Sequence, residues 1–132
     1  MDRLFLDANV LFSAAYRSNA GLTKFWQLKN VILCSSRYAL EEARINLGEQ
    51  IQLRRLTKLS GALQLFDAVT SDLPSGLSLA EKDVPILLAA IEAKSTHLIT
   101  GDVRHFGSFF GQRIMGILIQ LPGDYLARFS TP

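Results

Sequence analysis

Several things are scarce in this chain, and each scarcity removes a class of explanation. Cys34 is the single cysteine among 132 residues, which excludes an internal disulfide framework and leaves no cysteine cluster for zinc. It lies in the apolar run "NVILCSS", where a thiol serves as core filler rather than as a nucleophile. That usage fits a reducing, cytoplasmic setting. No apolar run approaches the roughly 20 residues of a membrane-spanning helix, and "MDRLFLDANV" lacks the layout of a signal peptide. Internal repeats, low-complexity tracts and long linkers are missing too, so the whole chain, 1–132, is expected to form one domain with a real core. Net charge is only +2, so the whole-molecule field does not mark a nucleic-acid binder. Arg44, Arg54, Arg55 and Lys58 do cluster in one segment, a pattern ordinary for a solvated helix face.

What is present is a regular alternation. Four short apolar runs have strand character: Leu4–Leu6, Val31–Cys34, Leu98–Thr100 and Ile117–Leu121. Helical patterns lie between them. Ala20–Leu28 forms a short one. A long one runs from Tyr38 to about Asp67, with Leu53, Leu56, Leu59, Leu63 and Phe66 at three- and four-residue steps and break points at Gly48 or Gly61. After the Ser-, Pro- and Gly-rich stretch "TSDLPSGLSLAEK", Asp83 reads as an N-cap, Pro85 as a first-turn residue, and Ile86, Ala89, Ala90 and Ala93 as an apolar stripe. A short helical turn and a terminal helix from Tyr125 complete the order. This alternation predicts a three-layer α/β/α domain around a central, mostly parallel sheet of four to five strands.

Within that frame one residue is out of place. Asp7 sits between the apolar runs Leu4-Phe5-Leu6 and Val10-Leu11-Phe12, and a carboxylate there is unfavourable unless it is paired or held against a cation. It falls at the carboxyl end of the first strand, and Asp102 at the carboxyl end of the third, the edge at which open α/β sheets bind ligands. The helix from Val84 to about Lys94 runs against the strand that follows it, which returns Asp83 toward Asp102. Glu42, or its neighbour Glu41, lies about two turns into the helix leaving the second strand and can lean over the same rim. Four converging carboxylates repel one another unless a cation neutralises them. Oxygen donors suit Mg²⁺ or Mn²⁺, and an ion so held can activate water and stabilise charge on a phosphodiester. Taken singly, each acid also has an ordinary reading: Asp83 as a cap, Glu42 as a surface acid, Asp102 as a turn residue.

The segments "FLDANVLFSA", "ALEEARINL", "KDVPILLAAI" and "HLITGDVRHFG" together resemble the PIN-domain nucleases, in particular the branch with VapC-like toxins of toxin–antitoxin pairs. The resemblance spans nearly the whole chain. It implies a PIN-like fold and a Mg²⁺- or Mn²⁺-dependent endoribonuclease acting through Asp7, Glu42, Asp83 and Asp102. Asn9 matches a polar residue that orients the site, and Thr100 the hydroxyl before "GD". Where many relatives carry a further acid, this chain has His105, read as a packed or solvent-facing residue and not assigned to the metal. Candidate RNA contacts are Arg44, Arg104 and Arg113. The resemblance further implies a homodimer, with Trp26 and Phe109-Phe110 as apolar candidates, and a cognate antitoxin covering the acidic groove. An RNA-processing nuclease outside any such pair, and a non-catalytic binding module of the same fold, remain open. A haloacid-dehalogenase-type phosphatase is disfavoured, because that chemistry needs a second Asp where Asn9 stands.

Overall fold

The computed structural model describes residues 1–68, 73, 79 and 81–129, without the side chain of Lys82. Most of the expected loop over 70–82 therefore lies outside the described residues. Six strands, β1 (Asp2–Leu6), β2 (Val31–Ser35), β3 (Gln64–Leu65), β4 (His97–Ile99), β5 (Arg113–Ile114) and β6 (Ile117–Gln120), form one sheet in the order β3-β2-β1-β4-β6-β5. All pairs are parallel except β5 with β6. The expected mostly parallel α/β sheet forms, with six strands among the described residues rather than four or five.

The two additional strands have two residues each and carry no local signal. β3 continues β2 at the edge, pairing Cys34 with Gln64. β5 joins β6 through a two-residue turn in which Met115 (φ 52°) and Gly116 (φ 81°) both adopt positive φ, as the tight hairpin geometry requires. Met-Gly is not a composition that announces such a turn.

The helices differ more from expectation. Helix α1 (Ala8–Tyr16) follows β1 directly, whereas the sequence places a helix at Ala20–Leu28. That later segment forms a 3₁₀ stretch, Gly21–Gln27. Helix α1 buries Ala8, Val10, Leu11, Ala14 and Ala15 and packs on the next two helices, so its residues show little of the polar face that periodicity arguments need. The long pattern from Tyr38 divides at Gly48 into α2 (Arg37–Asn46) and α3 (Gln50–Ser60). The chain leaves α3 at Gly61, so Leu63 and Phe66 are not helical. Arg55, in the basic cluster, is half-buried and tied to the backbone. Its guanidinium donates to Ala15 O (2.8 Å) and Tyr16 O (2.9 Å), closing the carboxyl end of α1.

Helix α4 (Val84–Glu92), with Pro85 in its first turn, leads into β4. A short helix α5 (Val103–Phe106) follows β4, and α6 (Pro122–Leu126) closes the fold, starting three residues before the expected Tyr125. Leu4, Phe5, Leu6, Leu98, Ile99 and Ile119 fill the sheet centre. Cys34 is buried among them, and burial pushes its thiol above the ordinary range, as befits core filler. Trp26, Phe109 and Phe110 are half-buried against this core, and the Trp26 indole donates to Leu59 O (3.0 Å). Packing already uses much of their apolar surface. Among the described residues no helix is long and apolar enough to cross a membrane.

Candidate functional site

Strand order decides where the acids meet. From the central β1, the chain moves to β2 on one side and later to β4 on the other. The carboxyl ends of β1 and β4 therefore flank the point at which connections diverge, where a crevice must open. Asp7 directly follows β1, and its backbone N–H donates to Ile99 O of β4 (3.0 Å). Asp102 follows β4 by a short turn.

Asp7 is 4% exposed, and a fixed set of donors surrounds its carboxylate. Its Oδ1 accepts from Ala8 N (2.7 Å), capping α1. Its Oδ2 accepts from the Thr100 hydroxyl (2.8 Å) and from Asn9 Nδ2 (3.2 Å). Thr100 Oγ1 in turn accepts from Asp102 N (3.1 Å), and Asn9 Oδ1 from Gly101 N (2.8 Å). A side chain at position 101 would bring a Cβ within 3.3 Å of Asn9 Oδ1, so glycine keeps this turn against Asn9. Asn9 and Thr100 thus tie the two strand ends together and orient Asp7.

Despite these donors, burial pushes the Asp7 carboxyl up to about 6, and the negative charges of Asp83 and Glu42 push it the same way. The hydrogen bonds from Thr100 and Ala8 oppose them and do not prevail. Asp7, Asn9, Glu42, Asp83 and Asp102 line one cleft of about 570 Å³. Glu42 rather than Glu41 faces it. Glu41 is exposed and paired with Arg44 (2.8 Å from Nε). Tyr38 sits at the Glu42 side, its hydroxyl pushed up by burial and by the charge of Glu42, to which it is hydrogen-bonded. A tyrosine one turn before the acid was a signal available in the sequence.

Two expectations are corrected at the other side of the cleft. Asp83 does not cap α4 with its side chain. It adopts a helical conformation itself (φ −92°, ψ −12°) at the end of the 3₁₀ turn Glu81–Asp83, so its carboxylate is turned elsewhere. It meets His105, whose Nδ1 is 2.9 Å from Asp83 Oδ2 and 2.8 Å from Asp102 Oδ2. His105 is therefore more than a packed or solvent-facing residue: its part-buried ring lies between two acids of the cleft. The Asp102 side chain caps α5, accepting from His105 N (3.1 Å), and that turn delivers the ring.

The basic candidates do not converge in the same way. Arg44 is held by Glu41 in the groove between α2 and α3. Arg113 pairs with Leu118, which pairs with His97, two residues and about 7 Å short of the strand ends that carry the acids. Arg113 thus lies toward the opposite rim. Only Arg104, exposed on α5 beside Asp102, stays near the cleft.

Comparison with known proteins rests on the fold. A chain in the crystal structure of VapBC2 from Rickettsia felis bound to a DNA fragment from their promoter superposes with a TM-score of 0.67. The match has 17% identity and covers 90% of this chain and 98% of that one. The fold is shared with that chain. A chain in the structure of FitAB bound to the IR36 DNA fragment matches at TM-score 0.51 and 17% identity, over 90% of this chain and 94% of that one. By sequence, no family profile and no curated protein matches.

The donor set suits a divalent cation. It offers hard carboxylate oxygens at the mouth and floor, with ligand atoms of Asp83, Asp102 and His105 within 4.8 Å of one another. Asp7, buried and pushed toward protonation by its acidic neighbours, is a group that added positive charge would return to its ionised form.

Proposed function

We propose that this chain is a divalent-cation-dependent endoribonuclease and the toxin of a toxin–antitoxin pair. The observation that carries the nuclease reading is the convergence of Asp7, Glu42, Asp83 and Asp102 on one cleft at the topological switch of the sheet. The toxin role is supported by the shared fold with chains of the VapBC2 and FitAB complexes and by the motif resemblance to VapC-like PIN domains.

Asp7, Asp83 and Asp102, with Glu42 at the mouth, are the residues that would hold Mg²⁺ or Mn²⁺. When bound, the ion supplies charge compensation for the acids and Lewis acidity toward a phosphodiester and its attacking water. The chain's own residues do the positioning. Thr100 and Asn9 hold the Asp7 oxygens in one orientation, so a cation partner meets a preorganised ligand. Arg104 is the basic group placed to meet an RNA phosphate near the cleft. A cognate antitoxin would cover this acidic opening, an inserted arginine being well suited to it. Homodimerisation belongs to the same proposal.

The test is RNA cleavage by the purified chain with Mg²⁺ or Mn²⁺, compared with Asp7→Asn. The variant should fold and fail to cleave; undiminished cleavage by it would end the nuclease reading. Induced expression should arrest growth, and co-expression of a small protein encoded beside it should relieve the arrest. Cleavage without growth arrest would favour an RNA-processing enzyme instead.

A further inference from the structure

Among the described residues, His105 is the imidazole set against the acids of the cleft, and its position is more specific than ion pairing requires. A salt bridge to one carboxylate leaves an imidazole free to turn. Here a single atom, Nδ1, stands 2.8 Å from Asp102 Oδ2 and 2.9 Å from Asp83 Oδ2. Neighbouring ligand atoms around a six-coordinate ion with bonds of about 2.1 Å are about 3 Å apart. Both nitrogen–oxygen separations match that spacing. The three ligand atoms also lie within 4.8 Å of one another, close enough to share one ion. The backbone that carries the ring is held in place, because His105 N donates to Asp102 Oδ1 (3.1 Å). Asp83 is 4% exposed, so its charge has little water to compensate it.

We propose that Nδ1 of His105 is itself a ligand of the divalent ion, between Asp83 and Asp102, and that it tilts the cleft toward Mn²⁺ and Co²⁺ over Mg²⁺. This rests on the reading that the cleft takes a divalent cation. Its chemical basis is donor softness: Mg²⁺ is served by oxygens and binds imidazole poorly, whereas first-row transition ions accept imidazole nitrogen readily. To coordinate, Nδ1 presents its lone pair and the ring proton resides on Nε2. An acid at position 105 would make the site all-oxygen and remove the bias.

The experiment uses the full-length, tag-free protein and Mn²⁺ as the probe. The chain has two histidines, and the other, His97, is buried in β4, the strand that runs from His97 to Ile99 toward the site. Imidazole ¹⁴N coupling in the pulsed electron paramagnetic resonance spectrum of bound Mn²⁺ would therefore report His105. The wild type should show it, and His105→Asp should lose it while still binding Mn²⁺. The ratio of Mn²⁺ to Mg²⁺ affinity, from competition titration, should fall at least about tenfold in that variant. Stoichiometric Mn²⁺ binding to the wild type without imidazole coupling would overturn the assignment of His105 and leave the metal site standing. An unchanged affinity ratio in a folded His105→Asp would do the same. No saturable Mn²⁺ binding by the wild type would remove the metal reading itself. The wild-type spectrum decides the matter even if the variant does not fold.

Discussion

Replacing Asp7 by Asn should flatten the pH dependence of stability of the metal-free protein. The Asp7 carboxyl titrates near 3.8 when exposed and at about 6 in the folded chain. The folded state therefore holds the proton more tightly, and the favourable contribution is fully present below 3.8 and lost as pH rises through about 6. The shift corresponds to about 3 kcal/mol between pH 3.5 and 8. Asp7 is almost completely buried, so solvent screening does not reduce this figure. The absolute effect of Asn is less informative. Its amide faces the Thr100 hydroxyl and Asn9 Nδ2 where a carboxylate oxygen accepts from both, and that mismatch costs about 1–3 kcal/mol at every pH. The diagnostic quantity is how the difference between wild type and variant changes with pH. Urea unfolding in the presence of EDTA at pH 4, 5, 6, 7 and 8 measures it. The variant should gain about 2.4 kcal/mol on the wild type across that range, or roughly 9 °C in melting temperature. Mn²⁺ at pH 8 should raise the stability of the wild type and leave the variant nearly unchanged. A difference that does not vary with pH would refute the claim that Asp7 is buried at an electrostatic penalty.

Other consequences are simpler to read. Thr100→Val keeps the shape of a fully buried side chain and removes three hydrogen bonds, to Asp7, Asn9 and Asp102 N. It should destabilise by about 1–3 kcal/mol in urea unfolding and weaken Mn²⁺ binding in titration calorimetry. Glu42→Gln should weaken metal binding, whereas Glu41→Gln, which breaks only an exposed pair with Arg44, should leave it unchanged. Arg55→Ala opens the carboxyl end of α1 and should cost about 1–2 kcal/mol with no change in Mn²⁺ affinity. Equal losses of affinity in the Glu41 and Glu42 variants would contradict the placement of the α2 acids.

Much of the sheet was legible because parallel strands are buried on both faces and appear as plain apolar runs; each of the four expected runs overlaps a strand of the sheet. Helix α1 was hidden for the same reason. "ANVLFSAAY" is apolar nearly all round, so no periodic polar face distinguished it from the strand before it. The strands β3 and β5 exist only through their partners. At the site, Asp7 was conspicuous because a carboxylate among apolar residues needs a cause. Its convergence with Asp102 followed from strand order, and the placement of Asp83 from helix direction. The role of His105 could not follow from either. It depends on Asp83 standing at the N-cap of α4 without a side-chain capping bond and on a one-turn helix that Asp102 caps, both consequences of tertiary packing. The arginines differ in origin: Glu41 and Arg44 are an i,i+3 helix pair that the spacing could have signalled, whereas which end of β6 the hairpin would leave Arg113 depends on the sheet.

The central claim is that the four acids form one divalent-cation site for RNA cleavage. Single-turnover cleavage of a labelled RNA by EDTA-treated protein, before and after adding Mn²⁺, tests it most directly, with folded Asp102→Asn as the control. Cleavage should be absent in EDTA, return with Mn²⁺ in the wild type, and stay absent in the variant. Cleavage that persists in EDTA, or that Asp102→Asn retains in full, would contradict it.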